Sequence, residues 1–445
     1  MSKEPLGVIG AGWVGLVTAA CFAELGHDVV IHDVVPDRIA DLEAGRISIY
    51  EPGLADLLAA NRARLTFTLD LEQVFEAARI AFVCVPTPPT YSGEADLSAV
   101  WRVLDELPEP AERAILVMKS TVPVGTGAHV RFRLDGRGLA HVGYVSNPEF
   151  LAEGTALRDF TKPDRIVVGA FDDADGDAVA ALYESIDVPV VRADVASAEM
   201  VKLASNAFLA TKISFINEIA NVCEETGADV SVVAEGMGLD RRIGSLFLRP
   251  GIGYSGSCLP KDVSALKQLA GNSGYHFQLL TAVIEVNELQ KRRVVSKLVK
   301  HLGGLRGKTI ALLGLAFKPN TNDMRDAPSL ILAQRLLAEG AEVRGWDPVA
   351  LEEARGVLRG VDLRESMVDA VTGADAAVIV TEWDELKDLA TPEVFAAMRN
   401  PLIMDGRNLL DPDATRAAGF AYEAIGRASS DLSALPETEE PELQL

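Results

Sequence analysis

Short runs of Val, Ile, Leu and Ala alternate with amphipathic stretches through the first half of the chain. The runs are nearly continuous in apolar residues, which is typical of strands buried on both faces of a sheet. Because the stretches between them have helical spacing, the alternation predicts βαβ units around a parallel sheet. The predicted strands cover residues 6–9, 29–33, 80–85, 114–119, 141–146, 165–169 and 188–191.

The hydrophobic pattern changes near residue 196. Residues 198–225 contain no Gly or Pro and carry apolar side chains at helical spacing, which predicts one long helix. Helical patterns continue to about residue 301 without a strand pattern, so we interpret this block as a helical connector. From Lys308 a second alternation begins, with predicted strands at 309–313, 342–346, 376–380 and 402–404.

These changes divide the chain into four predicted parts. An N-terminal α/β domain covers residues 1–195, a central helical domain 196–301, and a second α/β domain 302–427. Residues 428–445 are acidic, contain Pro and lack aromatic side chains, which predicts a disordered tail. The expected fold class is α/β, with two doubly wound domains joined by a central helical region that includes a long helix.

Composition and charge exclude several classes of protein. The chain has 445 residues, 48% hydrophobic and 24% charged, which excludes collagen-like, coiled-coil and wholly disordered proteins. Its 42 Lys and Arg against 65 Asp and Glu give a net charge of −23. Such a chain repels nucleic-acid phosphates, so we expect no nucleic-acid partner. An anionic ligand must therefore be held by a local pocket of amides, Lys and Arg.

Targeting patterns and cysteine usage indicate a cytoplasmic protein. The chain has no apolar stretch long enough to span a membrane, and its N-terminus lacks the pattern of a signal peptide. The four cysteines, Cys21, Cys84, Cys223 and Cys258, are scattered without a CxxC or His/Cys cluster. We therefore predict neither disulfides nor a metal site, and expect reduced thiols.

A glycine-rich turn follows the first predicted strand. GVIGAGWVG places Gly10, Gly12 and Gly15 as GxGxxG before an apolar helix. This pattern allows the backbone to approach a pyrophosphate at the helix N-terminus. Asp33 ends the next strand, where an acid binds a ribose 2′-hydroxyl and favours NAD over NADP. Arg38 follows five residues later and would either pack on the adenine ring or bind a 2′-phosphate. For the whole glycine motif, the alternative is a turn that binds no ligand.

Two loops with hydroxyl side chains follow later strands of the same sheet. VCVPTP contains Thr87, and KSTVPVGT contains Ser120 and Thr121. Loops at the carboxyl ends of parallel strands line the ligand crevice, so we expect these residues to touch the cofactor or the reacting centre. The alternative is that they cap helices.

Charged side chains in two further motifs are candidates for proton chemistry. NPEFLAEG carries Glu149 and Glu153, and Glu149 would serve as a base if burial raised its pKa. The alternative for an isolated Glu is a solvated surface position. KLASNAF places Lys202 and Asn206 one helical turn apart on one face, where a functional and a structural role are equally compatible with the pattern.

The segment GIGYSGSCLPKD is the most informative of all. Its glycines predict a loop that approaches a ligand closely, and Cys258 follows near a predicted helix N-terminus. That position lowers the pKa of a thiol and makes it a better nucleophile. Asp262 stands one turn later as a possible base, beside Lys261. The alternative, a buried structural cysteine, is our interpretation of the other three.

Basic residues occupy the corresponding loops of the second α/β domain. AFKPNTNDMRDAPS supplies Lys318 and Arg325 after its first strand, where a phosphate-binding loop would lie, and Arg407 follows a later strand in DGRN. The alternative is a basic solvated loop.

These motifs together resemble the UDP-glucose/GDP-mannose dehydrogenase family over about residues 5–427. The resemblance rests on GAGWVG, YEPGL, PTP, STVPVGT, NPEFLAEG, SNAFLATKISFINEIAN, GYSGSCLPKD, FKPNTNDMRDAPS and DGRN, in this order. It implies two Rossmann-like domains, a homodimer formed through the helical region, and oxidation of a sugar C6 alcohol to a carboxylate with two NAD. The aldehyde would be captured by Cys258, and the resulting thioester hydrolysed.

The resemblance also implies roles for individual residues. The implied catalytic residues are Cys258, Lys202, Asn206, Asp262, Thr121 and Glu149. The implied cofactor contacts are Gly10, Gly12, Val14, Asp33, Arg38, Thr87, Thr121, Glu153, Lys261 and Arg325. The implied substrate contacts are Glu149, Phe150, Leu151, Lys202, Asn206, Arg242, Phe247, Leu248, Gly251, Tyr254, Gly256, Phe317, Lys318 and Arg407. Of these, Arg242 would reach the site of the partner subunit.

Two departures from the family pattern and several alternatives remain. Ser255 replaces a common Gly, which would add strain if the position requires a positive φ, and Trp13 replaces a common Tyr. UDP-glucose is the expected substrate; GDP-mannose and a UDP-N-acetylhexosamine are the alternatives. Outside this reaction class, the alternatives are a simple two-electron dehydrogenase and a non-catalytic protein that binds NAD or a nucleotide sugar.

Overall fold

The computed structural model describes residues 3–110 and 113–427. The chain forms two compact units, each assembled from separate segments. Of the described residues, the first contains 3–110, 113–210, 256–281 and 319–323; the second contains 211–255, 282–318 and 324–427. The predicted tail, 428–445, lies outside the described residues, and the predicted four-part division stays a prediction.

The first unit contains an eight-stranded sheet within its described residues, in the order β3-β2-β1-β4-β5-β6-β7-β8. Its strands are β1 (Leu6–Ile9), β2 (Val29–His32), β3 (Leu65–Thr68), β4 (Ile80–Val83), β5 (Ile115–Met118), β6 (Gly143–Ser146), β7 (Ile166–Ala170) and β8 (Val190–Ala193). The apolar run of β1 is buried on both faces, between β2 and β4. The strand order reverses at this point, which is where an open sheet forms its ligand crevice.

Helices connect these strands and cover the sheet. They are α1 (Trp13–Glu24), α2 (Pro36–Glu43), α3 (Leu54–Ala60), α4 (Leu71–Ala77), α5 (Ser98–Glu106), α6 (Thr126–Gly136), α7 (Ala156–Thr161) and α8 (Asp173–Ala181), with a short 3-10 helix at Arg62–Arg64. Helix α1 is buried along most of its length, and its Leu16, Ala20 and Phe22 belong to the main core of this unit. This packing holds the start of α1 at the end of β1.

One strand pair departs from the predicted parallel sheet. Strands β6 and β7 are antiparallel, whereas all other neighbours in this sheet are parallel. The connection after β6 contains only the six-residue α7 and returns the chain to the same end of the sheet. A parallel pair needs a crossover that returns the chain to the opposite end.

Helices follow the first sheet, as predicted from the change in pattern. They are α9 (Val195–Thr226), α10 (Val230–Gly238), α11 (Leu259–Asn272) and α12 (Gln278–Leu302). The long helix α9 contributes residues to both units, because the boundary between them falls after Ala210. In the described residues, no helix is both long enough and apolar enough to cross a membrane.

The second unit contains a six-stranded parallel sheet within its described residues, in the order β11-β10-β9-β12-β13-β14. Its strands are β9 (Thr309–Leu313), β10 (Glu342–Trp346), β11 (Val361–Leu363), β12 (Ala376–Ile379), β13 (Leu402–Asp405) and β14 (Ala421–Ala424). Its remaining helices are α13 (Pro328–Ala338), α14 (Leu351–Val357), α15 (Met367–Val371), α16 (Pro392–Ala397) and α17 (Pro412–Ala417), with a 3-10 helix at Asp384–Asp388. The expected fold class, two doubly wound sheets with a helical region between them along the chain, is confirmed.

Candidate active site

The three glycines of the first turn differ in their surroundings. A Cβ on Gly10, which has a φ of 104°, would lie 2.6 Å from the carbonyl oxygen of Cys84. A Cβ on Gly15 would lie 1.8 Å from the carbonyl oxygen of Gly10, whereas one on Gly12 would meet no atom within 4 Å. The fold therefore requires glycine at positions 10 and 15, whereas Gly12 leaves the backbone open to a ligand. Gly12 is the N-cap residue of α1, and no side chain caps the helix there. The first backbone amides of α1 are therefore available to an anionic ligand beside Gly12.

Asp33 lies at the end of β2 and is tied to this turn. Its Oδ2 accepts hydrogen bonds from the Ala11 amide and from Nη1 of Arg38, both at 2.8 Å, and its Oδ1 accepts from Val35 N at 3.0 Å. The carboxylate is buried, while Arg38 is half-exposed. The acid thus stands beside the glycine turn, at the position from which such a carboxylate accepts a hydrogen bond from a ribose hydroxyl, and it pairs with Arg38.

The loops after β4 and β5 are bound to each other. The Thr87 hydroxyl donates to the Thr121 carbonyl at 2.8 Å, and the Ser120 hydroxyl donates to the Val85 carbonyl at 2.7 Å. The alternative that these residues cap helices is wrong, because the N-cap positions of α5 and α6 are Leu97 and Gly125. The hydroxyls of Thr87 and Ser120 instead fix the shape of two loops at the carboxyl end of the sheet.

Glu149 lies in the loop after β6 and is buried, so the alternative of a solvated surface position is wrong. Its Oε1 forms an ion pair with the Lys202 ammonium at 2.9 Å, and its Oε2 accepts a hydrogen bond from Leu151 N at 2.6 Å. Burial opposes ionisation and is the largest single effect, but Lys202, the Leu151 amide and Lys119 together outweigh it and hold the pKa of Glu149 below its ordinary value. The condition under which Glu149 would serve as a base, a pKa raised by burial, is therefore not met, because the carboxylate is paired.

Lys202 and Asn206 each face a carboxylate, one helical turn apart on α9. Burial opposes the charge of Lys202, but Glu149, Asp262 and the Cys258 thiol together raise its pKa. The Asn206 amide donates to Asp262 Oδ2 at 2.6 Å, and the Lys261 ammonium pairs with Asp262 Oδ1 at the same distance. Lys202 and Asn206 therefore present a charged ammonium and an oriented amide to one site.

Cys258 is the N-cap residue of α11, and its side chain is exposed although protein surrounds the sulfur closely. Burial raises the pKa of its thiol, and the carboxylates of Glu149 and Asp262 raise it further. The Lys202 ammonium and a hydrogen bond with Ser257 act in the opposite direction but are weaker. The expected lowering of the Cys258 pKa is wrong, because burial of the sulfur and two nearby carboxylates together outweigh the one cation. The other three cysteines are buried, as predicted.

Glu153 connects the cysteine loop with a second segment. Its Oε1 accepts a hydrogen bond from the Ser257 hydroxyl at 3.3 Å, and its Oε2 accepts from the Thr321 hydroxyl at 2.9 Å. Sequence reasoning missed Ser257 and Thr321, since a hydroxyl in a loop carries no pattern of its own. Ser257, which precedes Cys258, is thus held by Glu153, which the resemblance implies as a cofactor contact.

Glu51 is another buried site residue that sequence reasoning did not single out. It accepts hydrogen bonds from the Trp13 indole at 2.9 Å and from the amides of Gly154 and Ala156 at 2.7 and 2.9 Å. It therefore joins the glycine turn to the loop that carries Glu153. The signal was the motif YEPGL, which stood out only through the family resemblance.

The remaining predicted substrate contacts belong to the second unit. The Arg407 guanidinium donates to the carbonyls of Val380 and Gly253, at 2.7 and 3.4 Å. Gly251 has no room for a side chain, since its Cβ would lie 2.9 Å from the Gly406 carbonyl oxygen. The members of this group are Arg242, Phe247, Leu248, Gly251, Tyr254, Phe317, Lys318 and Arg407, and the predicted cofactor contact Arg325 lies in the same unit.

Two further predictions concern single residues of these segments. Ser255 does not have a positive φ, so its replacement of a glycine adds no strain there. The positive φ belongs to the next residue, Gly256, at 84°. Arg242 is exposed and pairs with Asp240 at 2.7 Å.

Comparison with known families identifies the chain. Three models of the UDP-glucose/GDP-mannose dehydrogenase family match it in order: the NAD binding domain at residues 4–187, the central domain at 196–289 and the UDP binding domain at 311–412. The chain belongs to this family. It is an NAD-dependent nucleotide-sugar dehydrogenase, and its UDP binding domain lies in the part of the chain that carries Lys318 and Arg407.

Individual relatives agree over nearly the whole chain. It is 46% identical over 430 residues to the UDP-glucose 6-dehydrogenase TuaD of Bacillus subtilis, covering 95% of this chain and 93% of the relative. It also resembles the solved UDP-glucose dehydrogenase of Pyrobaculum islandicum, with 39% identity, a TM-score of 0.89 and coverage of 96% and 99%. The UDP-D-ManNAc dehydrogenase of Pyrococcus horikoshii matches with 28% identity, a TM-score of 0.85 and coverage of 96% and 100%.

The residues of the first unit fit an NAD molecule. The open Cβ direction of Gly12 and the amides at the start of α1 suit a pyrophosphate, and the Asp33 carboxylate suits a ribose hydroxyl.

Proposed function

We propose that this enzyme oxidises UDP-glucose at C6 to UDP-glucuronate, with two NAD consumed and a covalent intermediate on Cys258. The observation that carries the proposal is the buried cluster around the thiol, in which Lys202 and Asn206 face Glu149 and Asp262. A thiol beside a cation and an amide suits capture of an aldehyde, and a buried carboxylate suits control of water.

Gly12, Asp33 and the loop residue Thr121 would hold the cofactor. When bound, NAD supplies the hydride acceptor for each of the two oxidations. Lys202 and Asn206 stabilise the negative charge that develops on the C6 oxygen, because a buried ammonium and an oriented amide are preorganised donors. The alcohol proton leaves as the aldehyde forms, and Glu149 keeps Lys202 in its charged form throughout.

Cys258 then joins the substrate. Its sulfur adds to the aldehyde carbon as the thiol proton is lost and the carbonyl oxygen is protonated, which gives a thiohemiacetal. Loss of a second hydride and of the hydroxyl proton converts this adduct to a thioester. The covalent bond keeps the aldehyde in the site between the two oxidations.

Hydrolysis releases the product and restores the thiol. A water molecule oriented by Glu149 adds to the thioester carbonyl, Lys202 and Asn206 stabilise the oxyanion, and the carbon–sulfur bond breaks to give the carboxylate. Asp262, which Asn206 and Lys261 hold in place, serves as the partner for water and protons at the leaving sulfur. The sum is one alcohol, two NAD⁺ and one water converted to one carboxylate, two NADH and three protons.

The choice of substrate within the family is the open part of this proposal. UDP-glucose is favoured by the relative with 46% identity and by the solved structure with 39% identity, both named for that sugar nucleotide. A UDP-N-acetylhexosamine is the second candidate, because a dehydrogenase of UDP-D-ManNAc shares the fold with a TM-score of 0.85.

The test is the yield of NADH from a limiting amount of UDP-glucose, with GDP-mannose and UDP-N-acetylglucosamine in parallel. Two NADH per UDP-glucose, and none from the other two, support the proposal. Two NADH from another sugar nucleotide move the substrate, and one NADH per sugar refutes the four-electron reaction.

Replacement of the nucleophile tests the covalent step. Cys258→Ser should abolish net turnover, because a serine hydroxyl at this position lacks the nucleophilicity of a thiol and forms a poorer leaving group. Cys223→Ser is the matched control, since Cys223 is buried in the second unit. A steady-state rate of Cys258→Ser near that of the wild type would remove the thiol from the mechanism. A protein that only binds its ligands would form no adduct at Cys258.

We propose in addition that the enzyme is a homodimer formed through α9. Phe208, Phe215 and Val222 recur every seven residues along this helix and are 66%, 50% and 56% exposed. Such a stripe of large apolar side chains favours a second copy of the same helix as its partner. Phe215→Glu should therefore halve the mass in analytical ultracentrifugation, whereas Phe132→Glu, at an exposed position on α6, should not. A wild-type monomer would refute the dimer.

A further inference from the structure

The hydroxyl of Ser257 lies against the Cys258 thiol and is not used in the mechanism above. Its Oγ is 3.6 Å from the Cys258 Sγ, and the two atoms form a hydrogen bond. Within residues 3–110 and 113–427, no other group of the protein forms a hydrogen bond with this sulfur. A path by which the protein takes up the thiol proton through hydrogen bonds therefore begins at Ser257.

The direction of the hydrogen bonds at Ser257 follows from its single proton. The Ser257 hydroxyl donates to Glu153 Oε1 at 3.3 Å, because an ionised carboxylate only accepts. The hydroxyl oxygen must then accept the hydrogen bond from the Cys258 S–H group. The three groups thus form a chain that runs from the thiol through the hydroxyl to the carboxylate. Hydrogen bonds between catalytic groups are often long before the substrate binds and shorten in the complex.

The Glu153 side chain, at the end of this chain, is buried and held in one orientation. Its Oε2 accepts a hydrogen bond from the Thr321 hydroxyl at 2.9 Å, which leaves Oε1 directed to Ser257. The backbone of the next residue is fixed as well, since Gly154 N donates to Glu51 Oε2 at 2.7 Å. The carboxylate is therefore positioned to accept a proton from Ser257 without a rearrangement of its loop.

The addition of the thiol to the aldehyde requires such a proton acceptor. Burial and the nearby carboxylates raise the pKa of Cys258, so the sulfur keeps its proton at neutral pH, although the thiolate is the nucleophile. The carboxylates of Glu149 and Asp262 each pair with a lysine ammonium, and neither forms a hydrogen bond with the sulfur in the described part of the chain. Ser257 is therefore the group through which a base can be reached.

We propose that Ser257 relays the thiol proton of Cys258 to Glu153 as the sulfur adds to the aldehyde. The S–H proton passes to Ser257 Oγ while the Ser257 O–H proton passes to Glu153 Oε1. The electron pair left on the sulfur forms the bond to the aldehyde carbon, and the carboxyl group later releases its proton to solvent. The inference rests on the proposed role of Cys258 as nucleophile.

The relay also stabilises the ionised sulfur. After the transfer, the Ser257 hydroxyl carries the former thiol proton and donates it to the sulfur in a hydrogen bond, which is the interaction that lowers the pKa of Cys258. Ser257 is thus a catalytic residue in this step, because its hydroxyl touches the reacting atom. Glu153 acts only through Ser257.

The test measures the second oxidation alone, as the single-turnover rate of NADH formation from the C6 aldehyde of UDP-glucose at saturating NAD. At pH 7, Ser257→Ala should slow this reaction about tenfold or more, because the thiol then lacks its proton acceptor. The deficit should shrink steadily as the pH rises to 10, since more of the thiol ionises without the relay. A purely structural defect would lower the rate by the same factor at every pH.

Three further variants make the result decisive. Ser257→Thr keeps a hydroxyl at this position and should restore most of the rate at pH 7. Ser264→Ala is the matched control, because Ser264 is a half-buried serine on α11 in the same unit, and its rate should match that of the wild type. Glu153→Gln keeps an acceptor for Ser257 but takes up no proton, so it should show the same pH-dependent loss. If Ser257→Ala fails to fold, as judged by circular dichroism, Glu153→Gln decides the question.

The outcomes separate this inference from the proposed function. A folded Ser257→Ala with the rate of the wild type at pH 7, or with an equal deficit at pH 7 and pH 10, overturns the relay. Either result for Glu153→Gln overturns it as well. The proposed function fails in a different way: if Cys258→Ala oxidises the aldehyde at the rate of the wild type, Cys258 is not the nucleophile, whatever Ser257→Ala does.

Discussion

Glu199 on α9 should make the stability of the first unit depend on pH. Its Oε2 accepts a hydrogen bond from Gly125 N at 2.7 Å, and its Oε1 accepts from Gly127 N at 2.8 Å, at the start of α6. The carboxyl group is almost completely buried. Burial outweighs these two hydrogen bonds and raises the pKa of Glu199 from 4.5 to about 7. The folded protein therefore binds this proton more tightly than the unfolded chain does.

The sign and size of the effect follow from this difference. Because the pKa is raised on folding, the contribution of Glu199 to stability is fully present below pH 4.5 and is lost as the pH rises through about 7. The difference between the two pKa values corresponds to about 3 kcal/mol of unfolding free energy. This loss is large compared with a typical net stability of about 5–15 kcal/mol.

The variant Glu199→Gln removes this ionisation, but its Nε2 group cannot accept a hydrogen bond and leaves one of the two glycine amides without its acceptor. That cost does not depend on pH, so the contribution of the carboxyl group is read from the pH dependence. Between pH 5 and pH 8.5, the stability of the variant relative to wild type, measured by urea unfolding with circular dichroism, should rise by about 2.5 kcal/mol. Glu184→Gln, at an exposed position, should leave the pH dependence unchanged. A constant difference between Glu199→Gln and wild type at both pH values would refute the reasoning.

Two further predictions concern the cofactor, and a third concerns the packing of the glycine turn. Asp33→Ala should raise the KM for NAD and improve the relative use of NADP, because it removes an acid that binds a 2′-hydroxyl and repels a 2′-phosphate. An unchanged ratio of kcat/KM for NAD to kcat/KM for NADP would contradict this role. Gly12→Ala should fold with an unchanged Tm but weaken NAD binding by calorimetry about tenfold or more, because its Cβ meets no protein atom within 4 Å yet would meet the pyrophosphate. Gly15→Ala should instead lower the Tm, because its Cβ would lie 1.8 Å from the Gly10 carbonyl oxygen. Equal Tm values for Gly12→Ala and Gly15→Ala would contradict the different roles of the two glycines.

The long apolar runs and the long helix were predicted well from the sequence. The predicted strand at 309–313 and the helix at 198–225 agree closely with β9 and α9, because both have strong periodic patterns. Three strands were missed, β3, β11 and β14. In β11, no residue is fully buried, so hydrophobicity gave no signal there.

The site shows a different limit of sequence reasoning. Motifs and spacing pointed to Cys258, Lys202 and Glu149, and the structure places all three in one charged cluster. The pKa shift of the thiol was predicted with the wrong sign, because Cys258 was considered alone, and the pairing of Glu149 with Lys202 was not foreseen. A pKa in a buried cluster depends on every charge nearby, and those distances are set only by the fold.

The distribution of the two units along the chain has a consequence for recombination between members of the family. Residues 319–323 belong to the first unit, although the residues on both sides belong to the second. Thr321 in this short piece binds Glu153, and Asn322 binds the backbone of Ser48 and Tyr50. A hybrid gene joined at one point in the middle would combine Thr321 from one parent with Glu153 from the other. These distant positions must therefore be inherited together, and a swap of the C-terminal half alone would also exchange part of the cofactor-binding unit.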